Sequence, residues 1–253
     1  MGKFSQIAVL AGGIIAVNAL ATAAIKLNKK SDTGRAYIMP EDFTVTAHTG
    51  SMNTEANSIH CLVAGIEAGA DIIEFDINAD ENGHPVLSHD APVGGEPLLE
   101  DAFRIMTVYK NVRANLDIKN PHILDKVQAI AEEFGLLDRV FFTGIGEESV
   151  KYAKEDAPKI KYFLNYSVNP AFNNSQYYCD ELVGFVKKYG ALGLNIHFSG
   201  ASKLLADTLH ANSLQLSVWT LKHDKDIRNM LDMGVDNITS LRPDKVLKIK
   251  KGN

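Results

Sequence analysis

From residue 43 onward, short β-prone apolar runs alternate with longer amphipathic ones, and this alternation more than anything else limits the folds open to the chain. Strand-like runs fall at 43–48, 71–78, 113–118, 139–144, 160–166, 191–197, 214–221 and 236–240. Helical periodicity occupies the intervals near 54–69, 99–110, 122–135, 147–156, 175–189, 201–212 and 223–233, with one more helix after Pro243. Eight strands alternating with helices predict a (β/α)₈ TIM barrel. A chain of 253 residues suits one such domain, which needs roughly 250. The competing fold, an open doubly wound sheet, lacks support because no glycine-rich phosphate loop follows the first strand. A further short run at 85–88 reads as an extra strand returning from the turn at Asn82-Gly83.

The amino terminus has a different character. Residues 5–25 carry no charge, and as a helix 21 residues span about 31 Å, near the hydrocarbon thickness of a bilayer. Lys3 precedes the run, and Lys26, Lys29 and Lys30 follow it. A cleaved signal peptide is the rival reading, since Ala19-Leu20-Ala21 and Ala21-Thr22-Ala23 resemble small-x-small cleavage sites. An uncleaved anchor fits better, because the run exceeds the ~7–15-residue core of a signal. The expected organisation is a transmembrane anchor or signal segment over 1–30, a polar linker over 31–42 and a barrel domain over 43–250. The protein is thus expected at a membrane, on a side the flanking charges leave open, or secreted if the segment is cleaved. The net charge of −5, without a basic aromatic-studded patch, argues against nucleic-acid binding. Two cysteines, Cys61 and Cys179, lack Cys-x-x-Cys spacing, and Cys61 falls on the apolar side of a predicted helix, as a buried free thiol would.

Chemistry concentrates in residues 71–90, DIIEFDINADENGHPVLSHD. Glu74 and Asp76 are two apart in a β-prone run, so both carboxylates project from one face of a strand. Such a pair repels itself unless a cation or a proton sits between the two groups. A half-exposed strand with a solvated face would show the same spacing. His89-Asp90 closes the following short run, and histidine titrates near neutral pH. Upstream, the first strand ends in His48-Thr49-Gly50; downstream, the third carries Asp117 and Lys119 two apart. Polar groups at the carboxyl ends of successive strands are where barrel enzymes build active sites. Three carboxylates supply hard oxygen ligands, suited to calcium or magnesium and poor for zinc.

Taken in order, His48-Thr49-Gly50, Glu74-x-Asp76, His89-Asp90, Asp117-x-Lys119 and Val218-Trp219-Thr220 resemble the glycerophosphodiester phosphodiesterase family. The resemblance runs from about residue 43 to 247. It takes in Asn53-Thr54, Ala56-Asn57-Ser58, Gly65 to Asp71, Gly234-Val235-Asp236 and Pro243-Asp244. It implies a barrel enzyme that hydrolyses phosphodiesters with a divalent cation, calcium or magnesium. By the same analogy Glu74, Asp76 and Asp117 are the metal ligands, His48 and His89 the acid/base pair, and Lys119, Thr49 and Trp219 contact the substrate.

The chain departs from the family pattern twice. Thr49 stands where the family carries an arginine that grips phosphate, and a neutral hydroxyl replaces a bidentate, charge-assisted contact. Only 26 residues (91 to 116) separate His89-Asp90 from Asp117, where the family commonly inserts a small subdomain. The mouth should therefore be more open. The expected reaction releases an alcohol and sn-glycerol 3-phosphate. The alternatives are a phospholipase D-like (sphingomyelinase D-type) action on intact or lyso-phospholipids, and a catalytically weakened binding module at the membrane. Asn195 and His197 could also face the mouth, and Asp90 is expected to orient a neighbour.

Overall fold

The computed structural model describes residues 37–252. The expected anchor at 5–25 and most of the linker lie outside them. Among the described residues, no helix is long and apolar enough to cross a membrane.

Among the described residues, nine strands and eight α-helices follow in order: β1 (Thr44–Ala47), α1 (Ile59–Glu67), β2 (Ile72–Ala79), β3 (Pro85–Leu87), α2 (Leu99–Val108), β4 (Arg113–Ile118), α3 (Leu124–Glu133), β5 (Val140–Ile145), α4 (Val150–Glu155), β6 (Tyr162–Asn165), α5 (Gln176–Tyr189), β7 (Gly193–His197), α6 (Lys203–His210), β8 (Gln215–Leu221), α7 (Asp224–Met233), β9 (Asn237–Ser240) and α8 (Pro243–Lys250). Eight strands pair in parallel, and the ring closes because β1 pairs with both β9 and β2. The ninth, β3, runs antiparallel against the carboxyl end of β2, as the Asn82-Gly83 turn requires. The expected eight-stranded barrel with an appended short strand is therefore what forms.

Alternation along each strand divides the barrel into an apolar outer layer and a polar interior. Val45, Ile73, Phe75, Leu116, Phe142, Leu194, Val218 and Ile238 join helix residues such as Leu62, Phe103, Leu124 and Leu205 in one continuous core. Alternate positions point inward: Thr46, Glu74, Asp76, Asn115, Thr143, Asn195, Ser217 and Asn237, all buried. Only the lower interior is apolar, where Ile72, Phe141 and Phe163 pack together beside Leu192. Barrel interiors are usually filled by branched aliphatics. Here a hydrogen-bonded amide and hydroxyl layer takes their place. Asn195 links Asn165 (3.0 Å) to Ser217 (2.9 Å), and Asn237 donates to Thr46 Oγ1 at 2.7 Å.

Two glycines mark close approaches. A Cβ on Gly65 would lie 2.7 Å from the Cβ of Ala47, so α1 can seat against β1 only there. Gly144 has φ 73°, and a Cβ there would lie 2.4 Å from the Ile118 carbonyl oxygen; the β5–β6 register shifts between Phe142 and Ile145.

The largest difference from expectation is the start of α1, which begins at Ile59 rather than near 54. Ser58 caps it, its side chain accepting from the Cys61 N–H at 3.1 Å. Asn57 is left-handed (φ 55°), so the helix cannot extend backward through it. Residues 54–58 instead form part of the barrel's mouth. Cys61 and Cys179 are both free and buried.

Candidate active site

β2 and β4 pair so that Asp76 lies beside Asp117 and Glu74 beside Asn115. Side chains two apart share a face, and the register stacks the two acidic faces on one another. One carboxylate oxygen each from Glu74, Asp76 and Asp117 falls within 4.8 Å of the others, and the first two residues are buried. Such a cluster is unstable by itself. Burial, then the nearby Asp76 and Asp117, push the Glu74 carboxyl well above its ordinary value, against smaller opposing effects of the Thr49 N–H and Lys119.

Lys119 supplies the nearest positive charge. Its ammonium bridges Asp76 Oδ1 (2.9 Å) and Asp117 Oδ2 (2.6 Å). Desolvation pulls its pKa down, but the ion pairs with Asp117 and then Asp76 more than offset this and hold it above the ordinary lysine value. Three carboxylates against one ammonium leave an excess of negative charge among hard oxygen donors. That donor set fits calcium or magnesium.

His48 directly follows β1 and lies at the edge of the cluster, its Nδ1 3.9 Å from Glu74 Oε2. The same nitrogen is 2.5 Å from the Thr49 carbonyl oxygen. A carbonyl only accepts, so Nδ1 carries the proton and Nε2 is left for proton transfer. His89 lies beyond β3 with its side chain 66% exposed, and its Nδ1 is 3.0 Å from Asp90 Oδ1. A carboxylate fixes its tautomer in the same sense. Asp90, expected from sequence to orient a neighbour, is itself exposed and makes this one side-chain contact to His89.

Both histidines, the three acids, Lys119, Thr49 and Trp219 line one cavity of about 450 Å³ at the carboxyl ends of the strands. The structure brings all eight sequence-derived site residues together. Trp219 forms a wall, its ring 5.6 Å from that of His197 and nearly perpendicular to it; its indole N–H is buried without an acceptor among the described residues. Thr49 lines the cavity and is buried, but its hydroxyl is already engaged with Asn57. Asn195 also faces the cavity, whereas His197 turns to Ser199, 2.7 Å away.

Sequence reasoning missed the floor and one side. Asn115, Thr143 and Asn165 line the cavity below the acids, and Asn57 holds Asp76. The Thr143 hydroxyl lies between Asn115 Oδ1 (2.8 Å) and Asp117 Oδ1 (2.9 Å). Asn165 Oδ1 accepts from the Gly144 N–H, which fixes the orientation of its amide. Position two before Asp117 was the available signal for Asn115, since it must share that face. A second cavity of similar size, about 460 Å³, opens at the opposite mouth around Arg113, Phe141 and Phe163, and contains none of the acidic cluster.

Fold and site together define a (β/α)₈-barrel enzyme with an acidic, histidine-flanked mouth. The glycerophosphoryl diester phosphodiesterase family model matches residues 96–245, more than half of the chain. Curated relatives include the glycerophosphodiester phosphodiesterases of Caldanaerobacter subterraneus subsp. tengcongensis and Bacillus altitudinis. Each is 25% identical, covering 82% of this chain and 98% of the relative. Among solved structures, a Silicibacter pomeroyi glycerophosphoryl diester phosphodiesterase superposes with a TM-score of 0.70 at 16% identity, covering 87% of this chain and 96% of that one. An Oleispira antarctica phosphodiesterase in complex with sn-glycerol-3-phosphate superposes with a TM-score of 0.66 at 18% identity, covering 83% and 96%. The chain belongs to the glycerophosphoryl diester phosphodiesterase family and is a phosphoric diester hydrolase.

Proposed function

We propose that the enzyme hydrolyses glycerophosphodiesters to an alcohol and sn-glycerol 3-phosphate with a divalent cation, and with His48 and His89 as its acid/base pair. One observation carries this reading: three mutually repelling carboxylates and two histidines with free Nε2 atoms share a single cavity. Glu74, Asp76 and Asp117 would hold calcium or magnesium, which when bound neutralises charge on the non-bridging phosphate oxygens. Lys119 adds positive charge at the same edge. One histidine takes a proton from attacking water at Nε2, and the other returns one to the leaving alkoxide oxygen. Trp219 offers an apolar wall to the carbon skeleton, while the buried Thr49 has its hydroxyl directed to Asn57. The uncharged run at 5–25 would anchor the enzyme to a membrane.

The purified full-length chain is expected to release glycerol 3-phosphate from glycerophosphocholine or glycerophosphoglycerol, and a chelator to abolish the release. No turnover of any diester with calcium, magnesium or manganese would sink the proposal. A second reading, phospholipase D-like action on lysophospholipids, draws on the exposure of His89 and the short 91–116 connection, which leave the mouth open. Turnover of lysophospholipid without turnover of deacylated diesters would favour it.

A further inference from the structure

We propose that Asn57 and Thr49 are a positioning pair that sets the cation affinity of the acidic cluster, and that Thr49 serves the cation rather than the substrate phosphate. The inference rests on the reading of Glu74, Asp76 and Asp117 as cation ligands.

Asn57 grips Asp76 at two points. Its Oδ1 accepts from the Asp76 backbone N–H at 3.0 Å, and its Nδ2 donates to Asp76 Oδ2 at 2.9 Å. The first contact fixes the amide orientation, because only the oxygen can accept. The second occupies Oδ2 and leaves Oδ1 turned to the cluster, where Lys119 now meets it. Asp76 is thereby held in one rotamer, presenting one oxygen. The holding group is neutral, so it orients the carboxylate without cancelling the charge that attracts a cation.

Thr49 completes the arrangement. Its hydroxyl accepts from the Asn57 backbone N–H at 2.6 Å and is 3.1 Å from Asn57 Oδ1, to which it donates. Its own backbone N–H donates to Glu74 Oε2 at 2.8 Å. One pair of residues therefore restrains two of the three acids. The neighbouring Gly50 N–H contacts the buried Cys61 Sγ at 3.1 Å, tying the same loop to α1. With both hydroxyl functions engaged, Thr49 has no donor left for a phosphate oxygen. Restraint of this kind lowers the ordering entropy that a cation would otherwise have to supply, and losing it typically costs 10- to 100-fold in metal affinity.

The test is titration calorimetry of the full-length chain with calcium and with magnesium, comparing wild type with Asn57→Gly, Thr49→Val and Thr49→Ser. Glycine keeps the left-handed backbone of residue 57 and removes only the amide. Valine conserves the size of Thr49 and removes only the hydroxyl, while serine restores it. Asn57→Gly and Thr49→Val should weaken cation binding about 10- to 100-fold, and Thr49→Ser should stay within about threefold of wild type. Wild-type affinity in both deletion variants would overturn the inference. If Asn57→Gly does not fold, the valine–serine pair decides alone. A wild-type chain that binds no cation would refute the cluster reading itself, and is recognised by that arm.

Discussion

At the level of single residues, the proposed mechanism separates groups that move protons from groups that hold charge. His48 and His89 each have Nδ1 committed to an oxygen acceptor, and the proposed proton transfers use Nε2. His89 is largely exposed and lies outside the packed core, so truncation removes a proton shuttle and little else. His89→Ala should lower kcat by about 10²–10⁴-fold, with circular dichroism and the melting temperature in chelator almost unchanged. A variant that unfolds, or one that retains full turnover, would remove His89 from the mechanism. Asn57 shows the limit of sequence reading at this scale. It falls within the run near 54–69 that reads as helical, and only its left-handed backbone brings the amide onto Asp76.

At the level of elements, the strand–helix junctions at the amino-terminal mouth carry stability and those at the opposite mouth carry chemistry. Arg139, in the turn before β5, is the clearest case of the first kind. Its guanidinium donates to the carbonyls of Met106 (3.0 Å), Tyr109 (2.7 Å) and Val112 (2.6 and 3.0 Å), closing the α2–β4 connection. Arg139→Met would take the guanidinium from three carbonyls, of which that of Tyr109 keeps only the Val112 N–H at 3.4 Å. A loss of about 1–3 kcal/mol is expected, or roughly 3–10 °C in melting temperature. Turnover at 25 °C should be within about twofold of wild type, because the residue is at the far end from the site. Unchanged melting would show that water replaces the guanidinium at no cost. Element positions were legible in the sequence because each strand is a short apolar burst between amphipathic helices. The start of α1 was not, because the backbone of residues 54–58 answers to Asp76 and Thr49 rather than to local periodicity.

For the molecule as a whole, the acidic cluster ties stability to pH and to cation. Glu74 has a folded-state pKa raised above its ordinary value of about 4.5, chiefly by burial. The native state therefore binds more protons than the unfolded chain in the interval between those two values. Its contribution is fully present below about pH 4.5 and is lost as pH rises through the raised pKa. In chelator, the melting temperature of wild type relative to Glu74→Gln should fall from pH 5 to pH 8. A saturating cation should reverse the trend, adding about 2.7 kcal/mol at a hundredfold excess over its Kd, or roughly 5–10 °C. A difference between the two proteins that is flat in pH would exclude an ionised Glu74 as the source of strain.

The sequence by itself determined the barrel, because strand and helix periodicities are local and eight repeats admit few arrangements. It also determined that Glu74 shares a strand face with Asp76, and Asp117 with Lys119, since side chains two apart in a strand point the same way; that this face is the buried, inward one was decided by the closed barrel. Tertiary structure alone decided the rest. Inter-strand register sets Asp76 beside Asp117, ring closure carries His48 to the edge of the same cluster, and the β1–α1 loop turns Asn57 and Thr49 onto the acids. These contacts join residues far apart along the chain, and their geometry is fixed by packing that no local pattern encodes. The polar interior of Asn115, Thr143, Asn165, Asn195 and Asn237 belongs to the same class. Each side chain reads as an ordinary strand residue until the barrel closes and turns it toward the polar groups of neighbouring strands.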